Sequence, residues 1–202
     1  MRFIMKTPIY DNLNDSEVAL KLLNGGIGII PTDTVYGIVC IAKESEINRM
    51  YKIRGRPTNQ KSLLLVSSES DIEEFGPDIN QLEIAKKYWP GPLTAELAVR
   101  NAPKFLDKGS GRLAFRVPDF DELEKLLKLT GPLIAPSANP QGVTPHASTL
   151  EDAISYFDDK VDFYVDGGDL SNNKESTIIG FVLGNNIKIY REGAVEILRE
   201  EI

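Results

Sequence analysis

The chain has 202 residues, a formal net charge of −7, a single cysteine and a single histidine. That length suits one compact domain, and a domain of this size buries roughly 70% of its unfolded surface without staples. The acidic balance speaks against a surface coated in cations for nucleic acid, although it permits a local basic groove. Lone Cys40 rules out an internal disulfide or a thiolate zinc cluster, and lone His146 rules out a multi-histidine metal site. No apolar run reaches membrane-spanning length and no h-region opens the chain, so a reducing cytoplasm is the expected home.

Helices and strands alternate along the sequence. Asn14 and Glu17 read as a capping pair for a helix with Val18, Leu22 and Leu23 on its apolar face, ended by Gly25-Gly26. A buried strand over 27–30 follows. A helix over about 45–54 carries Ile47, Met50 and Tyr51 at helical spacing, and residues 63–66 read as a short buried strand. Residues 79–89 form a helix stopped by Pro90-Gly91-Pro92, with Trp89 as a structural anchor. Residues 94–100 alternate like a strand with one wet face, and 113–117 form another. Asp119 and Glu122 cap a helix that stops at Gly131, and Ser148 with Glu151 caps a later one. After a strand over 163–166, Gly167-Gly168 reads as a turn. Residues 177–183 and 187–191 flank Gly184-Asn185-Asn186 as a hairpin, and a short helix closes the chain. These short mixed elements predict an α/β fold of the α+β mixed kind, with a mixed sheet covered by helices in one domain over 1–202. Cys40 reads as a small core residue.

The chemistry-bearing residues sit where apolar strands end. Pro31-Thr32-Asp33-Thr34-Val35-Tyr36-Gly37 follows the strand over 27–30 and presents two hydroxyls, a carboxylate and a phenol. Arg54-Gly55-Arg56-Pro57, with Lys61 nearby, is a second cluster. Ser137-Ala138-Asn139 is a third and Ser176-Thr177 a fourth, while Arg116 and Arg191 each close a strand. Phosphate-loop, dinucleotide-fold and nucleophile-elbow patterns are absent. Arginine forks suit phosphates and carboxylates, and small hydroxyls suit a small polar molecule. No nucleophile or acid/base pair stands out. The set reads as a binder of a polyanion and a small polar partner, acting by positioning and charge neutralisation.

These clusters, together with Trp89-Pro90-Gly91-Pro92-Leu93-Thr94, Arg116-Val117-Pro118, Glu175-Ser176-Thr177-Ile178-Ile179 and Arg191-Glu192-Gly193, occur in an order that strongly resembles the YrdC/Sua5 family. The resemblance runs from about residue 10 to 195. It implies a twisted mixed parallel/antiparallel sheet flanked by helices, with a concave, positively charged site. It also implies L-threonylcarbamoyladenylate synthesis. In that reaction L-threonine and bicarbonate form a carbamate that attacks the α-phosphate of ATP, and pyrophosphate leaves. The product serves t6A formation at position 37 of tRNAs reading codons that begin with A, by way of a downstream transfer enzyme, with a tRNA contact possible. By position, Thr34, Arg116, Ser137 and Ser176 hold threonine. Arg54, Arg56, Gln60, Asn139 and Arg191 hold ATP. Mg²⁺ rides on the triphosphate, with no protein-bound metal.

Three positions depart from the family pattern. Arg54 stands where lysine is usual, and Arg54→Lys is therefore expected to be tolerated. Lys61-Ser62 replaces Pro-Leu. Arg112 replaces a threonine near the nucleotide, where it either helps bind phosphate or points outward. His146 lies in a segment similar to one beside the nucleotide, and reads as an ATP contact or as a polar loop residue. Two other readings stay open. One is a divergent relative resembling YciO, with altered nucleotide activity. The other is a non-enzymatic RNA-binding or ribosome-assembly protein of the same fold.

Overall fold

A computed structural model describes residues 6–198. Ten strands form one sheet. In chain order the elements are β1 (Ile9–Tyr10), α1 (Ser16–Leu23), β2 (Gly28–Ile30), β3 (Gly37–Ile41), α2 (Glu44–Arg54), β4 (Leu63–Leu65), α3 (Ser70–Glu73), α4 (Ile79–Lys86), β5 (Leu93–Ala98), α5 (Lys104–Asp107), β6 (Arg112–Arg116), α6 (Asp121–Thr130), β7 (Leu133–Ile134), α7 (Leu150–Phe157), β8 (Phe163–Val165), β9 (Thr177–Phe181) and β10 (Ile187–Arg191). Across the sheet the order is β1-β8-β2-β3-β7-β4-β6-β5-β9-β10. The pairs β1/β8, β2/β8, β4/β6 and β5/β9 are parallel and the others antiparallel, so the sheet is mixed, as the sequence predicts.

Helices cover both faces. Val18, Ala19 and Leu22 of α1 pack with Leu123, Leu126 and Leu127 of α6 against one face. Ile47, Met50 and Tyr51 of α2 pack with Leu82, Ala85, Ala153 and Phe157 of α4 and α7 against the other. Cys40 is fully buried on that second face, and burial pushes its thiol up to about 12. Among the described residues, no helix is long and apolar enough to cross a membrane.

Three expected caps each move by one residue. The α1 cap is Asp15, whose carboxylate accepts from the Glu17 N–H, and Leu23 is half exposed. The α7 capping box is Thr149 with Asp152. Phe120 occupies the α6 cap position without a side-chain bond, because Glu122 instead accepts from the Leu13 N–H. In each case a neighbouring short polar side chain or a tertiary contact competes for the same orphan N–H groups. The helix expected at the end of the chain is not present through Leu198, and its remainder lies outside the described residues.

Strand β3 has no counterpart in the expected elements. Its five residues are all buried, so the period-two alternation that marks a half-exposed strand is missing. Residues 31–36 are therefore a hairpin connection between β2 and β3, with Ile30 opposite Gly37. That connection places the first polar cluster at one end of the sheet centre. The segment after β7 lies alongside it: Ile38 N–H donates to the Pro136 carbonyl at 3.0 Å, and Ala138 N–H to that of Tyr36 at 2.8 Å. The first and third sequence clusters are thus knitted together by backbone.

Candidate functional site

Thr32 folds the hairpin connection. Its hydroxyl donates to the Val35 carbonyl at 2.7 Å and accepts from the Thr34 N–H at 3.1 Å. This leaves the Thr34 hydroxyl to accept from Arg116 Nη1 at 2.9 Å. Arg116 reaches this point from the end of β6, and its Nη2 lies 3.3 Å from Asp33 Oδ1. Both side chains are almost wholly buried, at 4% and 6% exposure. Burial holds the Arg116 guanidinium below its ordinary value and the Asp33 carboxylate raises it, yet an arginine remains charged at neutral pH. The Nε of Arg116 is buried without a hydrogen-bond partner.

Arg116 and these threonines line a cavity of about 180 Å³. Ser137 and Ser176, both expected from the sequence, line it too. Ser176 is placed by the parallel pairing of β5 and β9. Leu93 lies opposite Thr177 in that pairing, so the Thr94 and Ser176 hydroxyls meet at 2.9 Å. Arg191, at the end of β10, donates through Nε and Nη2 to the Ser176 carbonyl at 3.1 and 2.9 Å. Arg56 and Lys61 complete the cationic lining, against one lining carboxylate, Glu175.

The remaining sequence-predicted residues lie behind this wall. Arg54 is buried and turned to Asn139, donating from Nε to its carbonyl at 2.9 Å and from Nη2 to its Oδ1 at 3.2 Å. Burial, and secondarily the neighbouring Arg56, lowers Arg54 to about 10. Asn139 Oδ1 also accepts from the Ser137 hydroxyl at 2.8 Å, so one amide couples the cavity to Arg54. Gln60 accepts from Arg56 Nε at 2.7 Å, and Arg56 Nη2 donates to the Lys61 carbonyl at 2.7 Å. The Arg56 guanidinium also sits 5.3 Å from the centre of the Tyr51 ring. Gln60, Arg54 and Asn139 do not themselves line the cavity. Arg112 points to neither expected target, since its Nη2 donates to the Phe181 carbonyl at 2.9 Å.

Three features carry more than their local sequence suggests. Asp33 is the buried counter-charge of Arg116, and Thr94 supports Ser176. Both lay inside quoted motifs, but only strand register reveals their partners. Gly167-Gly168 is more than a turn: Tyr36 donates to the Gly168 carbonyl and accepts from the Gly167 N–H, and burial raises its phenol to about 12. A Cβ at Gly167 would lie 2.2 Å from the Pro31 ring, so only glycine fits against this hairpin. Among the described residues, no cluster of three or more metal-ligating side chains forms.

The arrangement has two chemical parts. A buried guanidinium and four or so hydroxyls form a floor for a small molecule with a carboxylate. Above it, the rim cations suit a polyanion. The whole cavity, floor and rim cations together, is compact against the roughly 300–1,000 Å³ of a typical organic-ligand pocket, and its closed end suits a small molecule.

Known proteins share this sequence and fold. Residues 21–193 match the Sua5/YciO/YrdC family, described as telomere recombination. A threonylcarbamoyl-AMP synthase of Marinobacter nauticus is 32% identical over 83% of this chain and 90% of its own. One from Pyrococcus abyssi is 31% identical over 77% of this chain but 47% of its own, so the chain spans about half of that relative's length. The structure of P. abyssi Sua5 complexed with L-threonine superposes with a TM-score of 0.82 at 27% identity, covering 93% of this chain and 58% of that one. With residues 21–193 of its 202 matched, this chain belongs to the Sua5/YciO/YrdC family.

Proposed function

We propose that the chain is a threonylcarbamoyl-AMP synthase, joining L-threonine, bicarbonate and ATP with release of pyrophosphate. The observation that carries this reading is Arg116, a buried guanidinium with an unpartnered Nε among the Thr34, Ser137 and Ser176 hydroxyls. A buried charge is retained at a cost of several kcal/mol unless paired, and a substrate carboxylate is a fitting second partner beside Asp33. In this reading Thr34, Arg116, Ser137 and Ser176 hold threonine. Arg56 and Arg191 reach ATP from the rim. Gln60, Asn139 and Arg54 contact or position the nucleotide through the hydrogen bonds just described. The Ser137–Asn139–Arg54 chain links the two substrates, so nucleotide binding is coupled to an occupied floor.

Catalysis then consists of bringing three reactants together and offsetting their negative charge. Mg²⁺ enters on the triphosphate, in the manner usual for this hydrated ion. The product supplies tRNA t6A modification through a separate transfer enzyme. The test is pyrophosphate release from ATP with threonine and bicarbonate each omitted. Release that needs both supports the reading. ATP binding without such release would point to the divergent relative, a reading favoured by the withdrawal of Arg54 from the cavity.

A further inference from the structure

We propose that Glu175 is the proton acceptor for the amine of the amino-acid substrate, and that His146 passes that proton on to solvent; this rests on the reading of the chain as the synthase. Three observations meet here. Glu175 is the one carboxylate lining a cavity otherwise walled by cations, hydroxyls and apolar groups. Its Oε1 lies 3.5 Å from His146 Nδ1 and 3.0 Å from Arg191 Nη1. His146 is only about one-fifth exposed, so it stands between the cavity wall and water.

The chemistry requires such a group. An amino acid enters as an ammonium, and an ammonium has no lone pair for attack. When the nitrogen bonds to the bicarbonate carbon, the C–OH bond breaks and hydroxide leaves, taking one amine proton as water. The carbamate nitrogen keeps one hydrogen, so one further proton must go elsewhere. Arg56, Lys61, Arg116 and Arg191 are cations and cannot take it. With Arg116 claiming the substrate carboxylate, Glu175 is the lining group of opposite charge for the ammonium. Glu175 is part of the cavity lining, so the proton it takes needs an onward path to water, and His146 is the neighbour that offers one. Imidazole is the side chain whose ordinary titration lies between pH 5 and 8.

The charged and titratable groups around this path are few. Glu175 faces His146 from the segment before β9, with Arg191 behind it on β10. On α7, the Tyr156 hydroxyl donates to the Pro145 carbonyl at 2.9 Å, and the Asp152 carboxylate accepts from the Ser148 and Thr149 N–H groups at 3.1 Å. The Tyr156 and Asp152 side chains are thus committed to backbone.

The experiment compares two directions of the reaction in the full chain. Forward, pyrophosphate release from threonine, bicarbonate and ATP includes the amine deprotonation. In reverse, threonylcarbamoyl-AMP and pyrophosphate give ATP and carbamate, with no amine proton moved. Glu175→Gln keeps an acceptor for Arg191 and is expected to lose about 100-fold forward, in the range of general-base removal, and less than about threefold in reverse. His146→Gln is expected to lose about tenfold forward near neutral pH. The reverse reaction doubles as the check that each variant is folded. Equal losses in both directions, or a His146→Gln forward rate equal to that of wild type, overturn the proton route while leaving the synthase reading standing. A wild-type chain with no threonine- and bicarbonate-dependent release overturns both.

Discussion

The floor and the rim of the cavity hold their arginines in opposite ways. On the floor, Arg116 faces a full counter-charge, Asp33, and both are sealed from water. On the rim, Arg56 bonds only neutral groups, the Gln60 amide and the Lys61 carbonyl; Arg54 behind it does the same with the Asn139 amide and carbonyl, and of the rim arginines Arg191 alone also meets a carboxylate, Glu175. A guanidinium held by a buried carboxylate is fixed and nearly neutralised, so it suits a small ligand bound in one pose. A guanidinium held by amides keeps its whole charge for a newcomer. The difference teaches that the floor is built for shape and the rim for charge, which is the division an amino acid and a nucleoside triphosphate need.

The most severe way to break this division is Arg116→Ala. It leaves the Asp33 carboxylate buried without its counter-charge, a change that typically costs about 3–5 kcal/mol. Thermal unfolding should show that loss, and threonine-dependent pyrophosphate release should vanish. If the variant keeps wild-type stability, the floor is not the fixed element described here. Next in size is Gly193→Ala. A Cβ there would lie 2.3 Å from the Glu175 carbonyl oxygen and 2.6 Å from backbone atoms of Ser176 and Thr177. Overpacking of this kind costs about 1–3 kcal/mol, and here it also pushes Ser176 and Glu175 away from the cavity. The expected result is at least a tenfold rise in the KM for threonine, read from steady-state rates. An unchanged KM would show that the segment can shift without disturbing the floor.

Much of the floor was legible in the sequence, because its residues cluster at strand ends in short motifs: Thr34, Arg116, Ser137 and Ser176 all line the cavity. Their partners were not legible. Asp33 pairs with Arg116 from 83 residues away in the chain, and Thr94 meets Ser176 only through the β5/β9 register. Strand β3 escaped because uniform burial erases alternation. The caps of α1 and α7 slipped because several adjacent short polar residues can each satisfy the same N–H groups. The rim was legible as composition but not as geometry: that Arg54 turns inward to Asn139 follows from no local pattern.

That geometry changes one expectation for the rim. The family resemblance suggests that Arg54→Lys is tolerated, since lysine is usual at this position. The structure shows a two-pronged grip on Asn139, which an ammonium on a flexible stem does not reproduce. Losing one such bond costs about 1 kcal/mol of stability. Activity should fall several-fold, chiefly through the KM for ATP, because Asn139 keeps its bonds to Ser137 and Val143 while its hold on the Arg54 side is lost. A fall confined to the threonine KM would mean that floor and rim are not separable in this way.

The smallest effect comes from a guanidinium–carboxylate pair far from the cavity, and it calibrates the buried one. Arg49 grips Asp162 with two bonds of 2.7 Å, and the Ile27 N–H donates to the same carboxylate at 2.7 Å. Burial pushes the Asp162 carboxyl up, but the Arg49 and Ile27 hydrogen bonds outweigh it, so its net shift is downward. A carboxyl with a depressed folded value stabilises the fold above its unfolded value of about 3.9, and that stability is lost as pH falls through the folded value. Arg49 stays charged throughout, so the titration belongs to Asp162 alone. With the pair 46% and 34% exposed, solvent screening reduces its worth. Asp162→Asn should therefore cost about 1 kcal/mol at neutral pH. The gap between variant and wild type should close as denaturant unfolding is repeated at successively lower pH below about 4. Activity should not change at neutral pH. A gap that stays constant into acid would mean that Asp162 contributes through packing rather than charge, and the buried Arg116–Asp33 pair could then not be scaled from it.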